Sequence, residues 1–191
     1  MKDAGSVGGR ERLRLFCALQ LPVAAIEELS RWQAGAFAGV SGVRVLAPEQ
    51  LHVTLAFLGS RPAGDLEAIA TELREAARSA EPAKLTITRY RETRSVGMLV
   101  CDDEGRRATS LAADLHARLE RLGVYERERR EWLPHLTVIR FRERPHATRP
   151  RIRTLPDPGS FMTSEAAVYM SVLRPSGAQY EVLQSVALGG S

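Results

Sequence analysis

Two stretches of the chain place a histidine and a threonine two residues apart in an otherwise apolar frame, and this duplication limits what the chain can be. The first is Leu51-His52-Val53-Thr54-Leu55-Ala56-Phe57-Leu58-Gly59. The second, 83 residues later, is Pro134-His135-Leu136-Thr137-Val138-Ile139-Arg140. A run of β-formers that stops at a glycine reads as a buried strand. An imidazole in such a strand is unfavourable unless it has a partner or a task. Strand side chains alternate between faces, so His52 and Thr54 project to one side and Val53 and Leu55 to the other. His135 and Thr137 repeat that arrangement. Arg140 lies five positions after His135, so on a regular strand it falls on the opposite face and reaches the same side only if the strand bulges or ends first.

The rest of the chain reads as alternating strands and helices. Residues 1–11 form a tail expected to be disordered. Residues 13–21 (LRLFCALQL) read as a first strand, closed by Pro22. Apolar spacing predicts a helix over 23–37, and 43–46 is a short strand. Asp65 caps a helix over 66–80 with Leu66, Ile69, Ala70, Leu73 and Ala77 on one face. Strands follow at 84–89 and 97–101. A helix over 109–122 carries the stripe Leu111, Leu115, Leu119 and Leu122 and ends at Gly123. The charged run 126–131 is solvated, 132–141 is the second histidine strand, and 141–160 is an Arg- and Pro-rich connection. Strands over 166–173 and 180–188 close the chain around a turn at Pro175-Ser176-Gly177. This mixed order predicts an α+β fold with mainly antiparallel strands. The repeated motif, with an amphipathic helix near each copy, points to two halves facing a common cleft.

Composition narrows the class. A net charge of +4 rests on 27 basic residues, of which only Lys2 and Lys84 are lysine. Arginine offers a planar donor fork suited to phosphate, and a basic balance fits an anionic partner such as RNA. Most of these arginines are read as compositional bias. Cys17 and Cys101 are the two cysteines, lack CxxC spacing, and are expected as reduced thiols. The first residues have no apolar signal region, and no run approaches the roughly 18 residues of a membrane span. A cytoplasmic protein with no membrane association, and a monomer, is the expectation.

Two imidazoles facing one point form a general acid and base, because an unperturbed pKa of about 6.5 suits histidine to either role. The flanking threonine hydroxyls are placed to donate to phosphate oxygens. A zinc site is the rival use of two histidines, but zinc catalysis wants about three protein ligands, and neither HExxH nor clustered cysteine is present. No metal and no cofactor is expected. His116 is read as a partly exposed residue of its helix and His146 as solvated. Arg142, Arg144, Arg149, Arg151 and Arg153 of the connection either track an RNA backbone or form a solvated loop. Trp32 and Trp132 read as core.

These motifs resemble those of the 2H phosphoesterase superfamily, and within it the RNA 2′,3′-cyclic phosphodiesterases, historically called 2′-5′ RNA ligases. Four segments carry the likeness: Arg14-Leu15-Phe16-Cys17-Ala18-Leu19, the two histidine stretches, and Ser171-Val172-Leu173 leading to Gly177-Ala178-Gln179-Tyr180. The resemblance implies one domain over 12–188 of two pseudo-symmetric lobes. It implies a bilobal, pseudo-twofold duplicated fold, with two mainly antiparallel sheets lining a central cleft and helices outside. It implies metal-independent hydrolysis of a terminal 2′,3′-cyclic phosphate on an RNA or oligonucleotide to a 2′-phosphate, and 2′-5′ ligation as the reverse reaction. His52 would protonate the leaving O3′ and His135 would activate water. Thr54 and Thr137 would hold phosphate oxygens, and Arg140 would sit by the phosphate or stack on the base. The family often carries an aromatic where Cys17 stands, a departure that bears on base stacking. An RNA- or nucleotide-binding module of the same fold without turnover is the reading from another class; the intact histidines and threonines favour the enzyme.

Overall fold

A computed structural model of the protein describes residues 11–142, 150, 152–157, 160–175 and 177–190. Of the expected tail at 1–11, residues 1–10 lie outside the described residues, as do His146, Arg144, Arg149, Arg151 and Ser176.

In chain order the elements are β1 (Arg12–Leu19), α1 (Val23–Ala36), β2 (Val43–Val45), β3 (Val53–Pro62), α2 (Leu66–Arg78), β4 (Ala83–Glu92), β5 (Val96–Asp103), α3 (Arg107–Arg121), β6 (His135–Phe141), β7 (Ser160–Thr163), β8 (Glu165–Arg174) and β9 (Gly177–Ala187). The helices follow the apolar stripes. Ile69, Ala70, Leu73 and Ala77 of α2 and Leu111, Leu115 and Leu119 of α3 are buried. Asp65 does not make the expected cap: it closes a short 3₁₀ turn and its side chain makes no capping hydrogen bond. Asp103 does this at α3, accepting from the amides of Ala108 and Thr109.

All described pairings are antiparallel, in the order β7-β4-β5-β6-β3-β1-β8-β9, with β2 also on β6. The two expected sheets are thus joined into one curled sheet. Their junction is narrow, because β3 and β6 share the single register pair Val53–Leu136.

The two faces of the sheet differ. One face, with Leu15, Cys17, Leu19, Val53, Leu55, Leu99, Leu136 and Val138, packs with helix residues Leu29, Leu73 and Leu115 in the main core. On the other, Phe16, Ala18, Ala167 and Tyr169 form a small separate cluster capped by Tyr180. The helices therefore lie outside and leave the second face open as a cleft. Both strands of the seam start later than their apolar runs suggest. β3 begins at Val53, because a 3₁₀ turn over Pro48–Gln50 precedes it, so His52 stands one residue before the ladder. β6 begins at His135, because Pro134 has no N–H to give and contributes only its carbonyl, to the Cys101 amide.

Candidate active site

The single rung between β3 and β6 sets the geometry. Val53 faces Leu136, so continuing the antiparallel register outward places His52 across from Thr137 and Thr54 across from His135. Opposed positions on one face of such a pair are roughly 5 Å apart. Both His-x-Thr pairs therefore share one face, related by an approximate twofold through the rung.

Each motif is followed by a bulge at the same place. On β3, Thr54 pairs with Ala18 and Ala56 with Cys17, which leaves Leu55 unpaired. On β6, Thr137 pairs with Met98 and Ile139 with Gly97, which leaves Val138 unpaired. Leu55 and Ala56 both enter the main core, as do Val138 and Ile139. Strand parity is thereby reversed, and the next residue returns to the cleft. On β6 that residue is Arg140, which lines a cavity of about 350 Å³ with Phe16 and Tyr180. Its charge reaches His52. Of the two ways for Arg140 to reach the cleft, a bulge or an early end of the strand, the structure has the bulge, and β6 continues to Phe141.

At both bulges a buried polar side chain reaches the backbone carbonyl. Gln33 of α1 donates from Nε2 to the carbonyls of Val138 (2.9 Å) and Leu46 (3.2 Å). His116 of α3 donates from Nε2 to the carbonyl of Leu55 (2.8 Å) and stacks on Tyr125. Gln33 and His116 are themselves 83 residues apart, the spacing of the motifs. His116 is thus not the partly exposed residue expected: it is 6% exposed. It faces inward because the bulge presents a carbonyl that needs a donor. Trp132 Nε1 donates to the carbonyl of Thr54 (3.0 Å) and ties the segment before His135 to β3.

Each histidine is oriented differently. His135 donates from Nδ1 to the carbonyl of Leu133 (2.8 Å), which turns Nε2 away from that carbonyl. The His52 ring packs against Phe16 at 4.9 Å, Tyr180 at 5.4 Å and Tyr169 at 5.7 Å between centroids. Part of the residue still reaches the open cleft. Burial lowers its pKa from 6.5 to about 4; the neighbouring Gln50 backbone opposes this, and the positive charges of His135 and Arg140 add to it. That backbone contact falls short of a well-formed hydrogen bond, and Nδ1 stays without a partner.

This shift carries a stability prediction. The unfolded chain binds a proton at His52 near pH 6.5, and the folded chain only near pH 4. Between those values the unfolded state holds more protons, so stability falls as pH is lowered from about 6.5 to about 4. The His116 pKa is also lowered, chiefly by burial, and acts in the same direction. Urea midpoints across this range are expected to decline, and less steeply in His52→Asn. An equal slope in the variant would show that other groups dominate.

Cys17 does not occupy the cleft. It is fully buried in the main core on the helix-side face. Its neighbour Phe16 supplies the cleft aromatic, stacked on Tyr169 at 4.9 Å and edge-on to Tyr180 at 5.1 Å. The departure at Cys17 therefore has no bearing on stacking in the cleft. Both thiols are free, and burial raises each pKa to about 12. Among the described residues no three His, Cys, Asp or Glu side chains are grouped as metal ligands. None of their helices is long and apolar enough to cross a membrane. Phe16 and Tyr180 fall in segments that carry the family likeness but had no role of their own, and Tyr169 lies outside those segments. Their alternation with core residues in strands was the available signal.

The model of the 2′-5′ RNA ligase superfamily matches residues 21–179, which include both histidine stretches. The chain belongs to the 2′-5′ RNA ligase superfamily. Its likeness runs the full length of known proteins. The RNA 2′,3′-cyclic phosphodiesterase of Escherichia coli (strain K12) is 30% identical over 186 residues, 93% of this chain and 98% of that one. The crystal structure of TT0787 of Thermus thermophilus superposes with a TM-score of 0.78 at 29% identity, covering 93% of this chain and 99% of the other. E. coli LigT complexed with 3′-AMP superposes with a TM-score of 0.70 at 27% identity, covering 94% and 99%. The α+β fold read from the sequence is that of these superfamily structures.

Proposed function

We propose that the protein hydrolyses the 2′,3′-cyclic phosphate at the end of an RNA to a 2′-phosphate, with His52 and His135 as a general acid and base. The observation that carries this reading is the register around Val53–Leu136, which sets two His-Thr pairs across from each other on the open face. The name of the E. coli relative and the nucleotide in the LigT complex support the same substrate class.

The chemistry follows from the residues. His135 accepts a proton from water as its oxygen attacks phosphorus. The P–O3′ bond breaks, and His52 gives its proton to O3′. Thr54 and Thr137 donate to non-bridging oxygens, and Arg140 offsets their charge. In the ligand-free protein burial keeps His52 neutral at pH 7. Its role as acid therefore depends on the bound phosphate anion, which raises the affinity of the ring for a proton. Once protonated, a ring so disposed to lose its proton is an effective acid. If a 5′-hydroxyl replaces water, the same steps join two RNA ends through a 2′-5′ linkage.

The test is incubation with an RNA oligonucleotide ending in a 2′,3′-cyclic phosphate, with product resolved as 2′- or 3′-phosphate, in the presence of excess EDTA. A 2′-phosphate formed at an undiminished rate is expected. Binding without turnover would replace this reading with a nucleotide-binding module. Loss of activity in EDTA, restored by a divalent ion, would overturn the metal-independent mechanism.

A further inference from the structure

The two halves of the sheet meet at one backbone rung, Val53–Leu136. One rung is a weak constraint on how two strands sit against each other, yet the proposed reaction needs His52 and His135 at a set separation. Side chains supply further bonds across this seam, and two of them follow a crossed pattern. Gln33 of α1 stands 19 residues before His52, and His116 of α3 stands 19 residues before His135. Gln33 nevertheless donates to Val138, three residues beyond His135, and His116 donates to Leu55, three residues beyond His52. Each helix thus holds the histidine strand of the other copy of the motif.

In both cases the acceptor is the bulge residue, which is left out of the pairing with β1 or β5. The bulge is where the strand changes parity, so a bond to it sets the segment carrying histidine and threonine against the segment that follows. A second donor crosses the seam on each strand: Trp132 Nε1 to the Thr54 carbonyl, and the Leu46 amide to the Val138 carbonyl, both at 3.0 Å. Core packing does not call for polar groups at 33 and 116. Gln33 lies one turn after Leu29 and His116 directly after Leu115, and both leucines are fully buried in the main core. An apolar side chain would suit either place. A buried amide or imidazole is unfavourable unless it is bonded, and here both bonds lie at the seam.

We propose that Gln33 and His116 are positioning residues of the reaction, a crossed pair of donors that sets His52 against His135 through the two bulge carbonyls. The inference rests on the proposed activity and extends it from the groups at the phosphate to the helices behind the sheet. Both residues lie on the helix side, so neither meets substrate. His116 sets the strand of the acid, His52, and Gln33 sets the strand of the base, His135.

The test measures kcat and KM of folded variants. His116→Phe keeps an aromatic ring against Tyr125 but has no donor, and Gln33→Met keeps the side-chain length but has no donor. Each is expected to lower kcat by about 10- to 100-fold with KM little changed, the upper figure being the cost of a displacement of about 1 Å. His116→Gln, whose amide can still donate, is expected to restore most of that loss. A substrate with sulfur in place of O3′ separates positioning from a merely structural role. Its leaving group needs no proton, so the loss in His116→Phe should largely vanish on it and the loss in Gln33→Met should persist. Unchanged kcat in Gln33→Met, equal losses on both substrates in His116→Phe, or no recovery in His116→Gln would overturn the inference. Val138 keeps the Leu46 amide when Gln33 is replaced, so Gln33→Met decides the matter even if His116→Phe fails to fold. If the native protein turns over neither substrate, the proposed activity fails separately. NMR signals of the histidine rings then read the positioning: His116→Phe should move those of His52, and Gln33→Met those of His135. Ring signals that stay unmoved in both variants overturn it.

Discussion

His52→Ala and His135→Ala are each expected to reduce turnover of an RNA 2′,3′-cyclic phosphate by about 1,000-fold while the protein stays folded. The magnitude is that of losing one partner of a general acid–base pair. Both rings border the open face of the sheet, so truncation leaves the main core intact. Residues acting on one transition state are strongly non-additive, so the double variant should be little worse than either single one. The two roles can be separated. Sulfur in place of O3′ leaves without needing a proton, so His52→Ala should recover on that substrate and His135→Ala should not. Recovery of His135→Ala alone would reverse the assignment. Near-normal turnover by either variant on the natural substrate would end the paired mechanism. Circular dichroism of each variant checks the fold.

Arg140→Gln is expected to lower kcat/KM by about 30-fold and to leave stability unchanged or higher by up to about 1 kcal/mol. The two effects have one source. In the free protein Arg140 faces Arg44 across β2 and β6, and its buried Nε is unsatisfied. Both features disfavour the folded state, and both are relieved by a neutral side chain or by a bound phosphate. A residue placed for an anion should thus harm the protein in the absence of that anion. Steady-state kinetics and thermal melts with and without phosphate read the two halves of the claim. Added phosphate should raise the melting temperature of the native protein more than that of the variant. Loss of stability together with activity would make Arg140 a structural residue.

The duplicated His-x-Thr was legible because alternation along a strand is strictly local. His52, Thr54, His135 and Thr137 reached one face with no tertiary information. The bulges were harder to read, although each leaves a mark in the paired apolar residues Leu55-Ala56 and Val138-Ile139. A regular strand would have sent one of each pair to the cleft. Extending the 83-residue comparison by three positions would have matched Phe57 to Arg140. Extending it upstream would have matched Gln33 to His116. The aromatic wall could not be read in this way. Phe16, Tyr169 and Tyr180 come from β1, β8 and β9, and their adjacency depends on a strand order that brings the two ends of the chain together. The expected two sheets were distinct in the pattern, but the single rung uniting them is a matter of register.

That strand order also decides when the protein can be completed. β1 lies between β3 and β8, and Leu15 pairs with Met170. The half of the sheet that carries His52 is therefore begun by the first strand made and finished by the last two. During synthesis, β4, β5 and β6 can assemble around His135 while β1 still exposes one edge. Such an edge invites wrong pairing until the C-terminal hairpin arrives to cover it. Non-local closure of this kind makes folding slow. It also means that no truncated product can present a finished cleft, since Tyr169 and Tyr180 arrive with the strands that close the sheet.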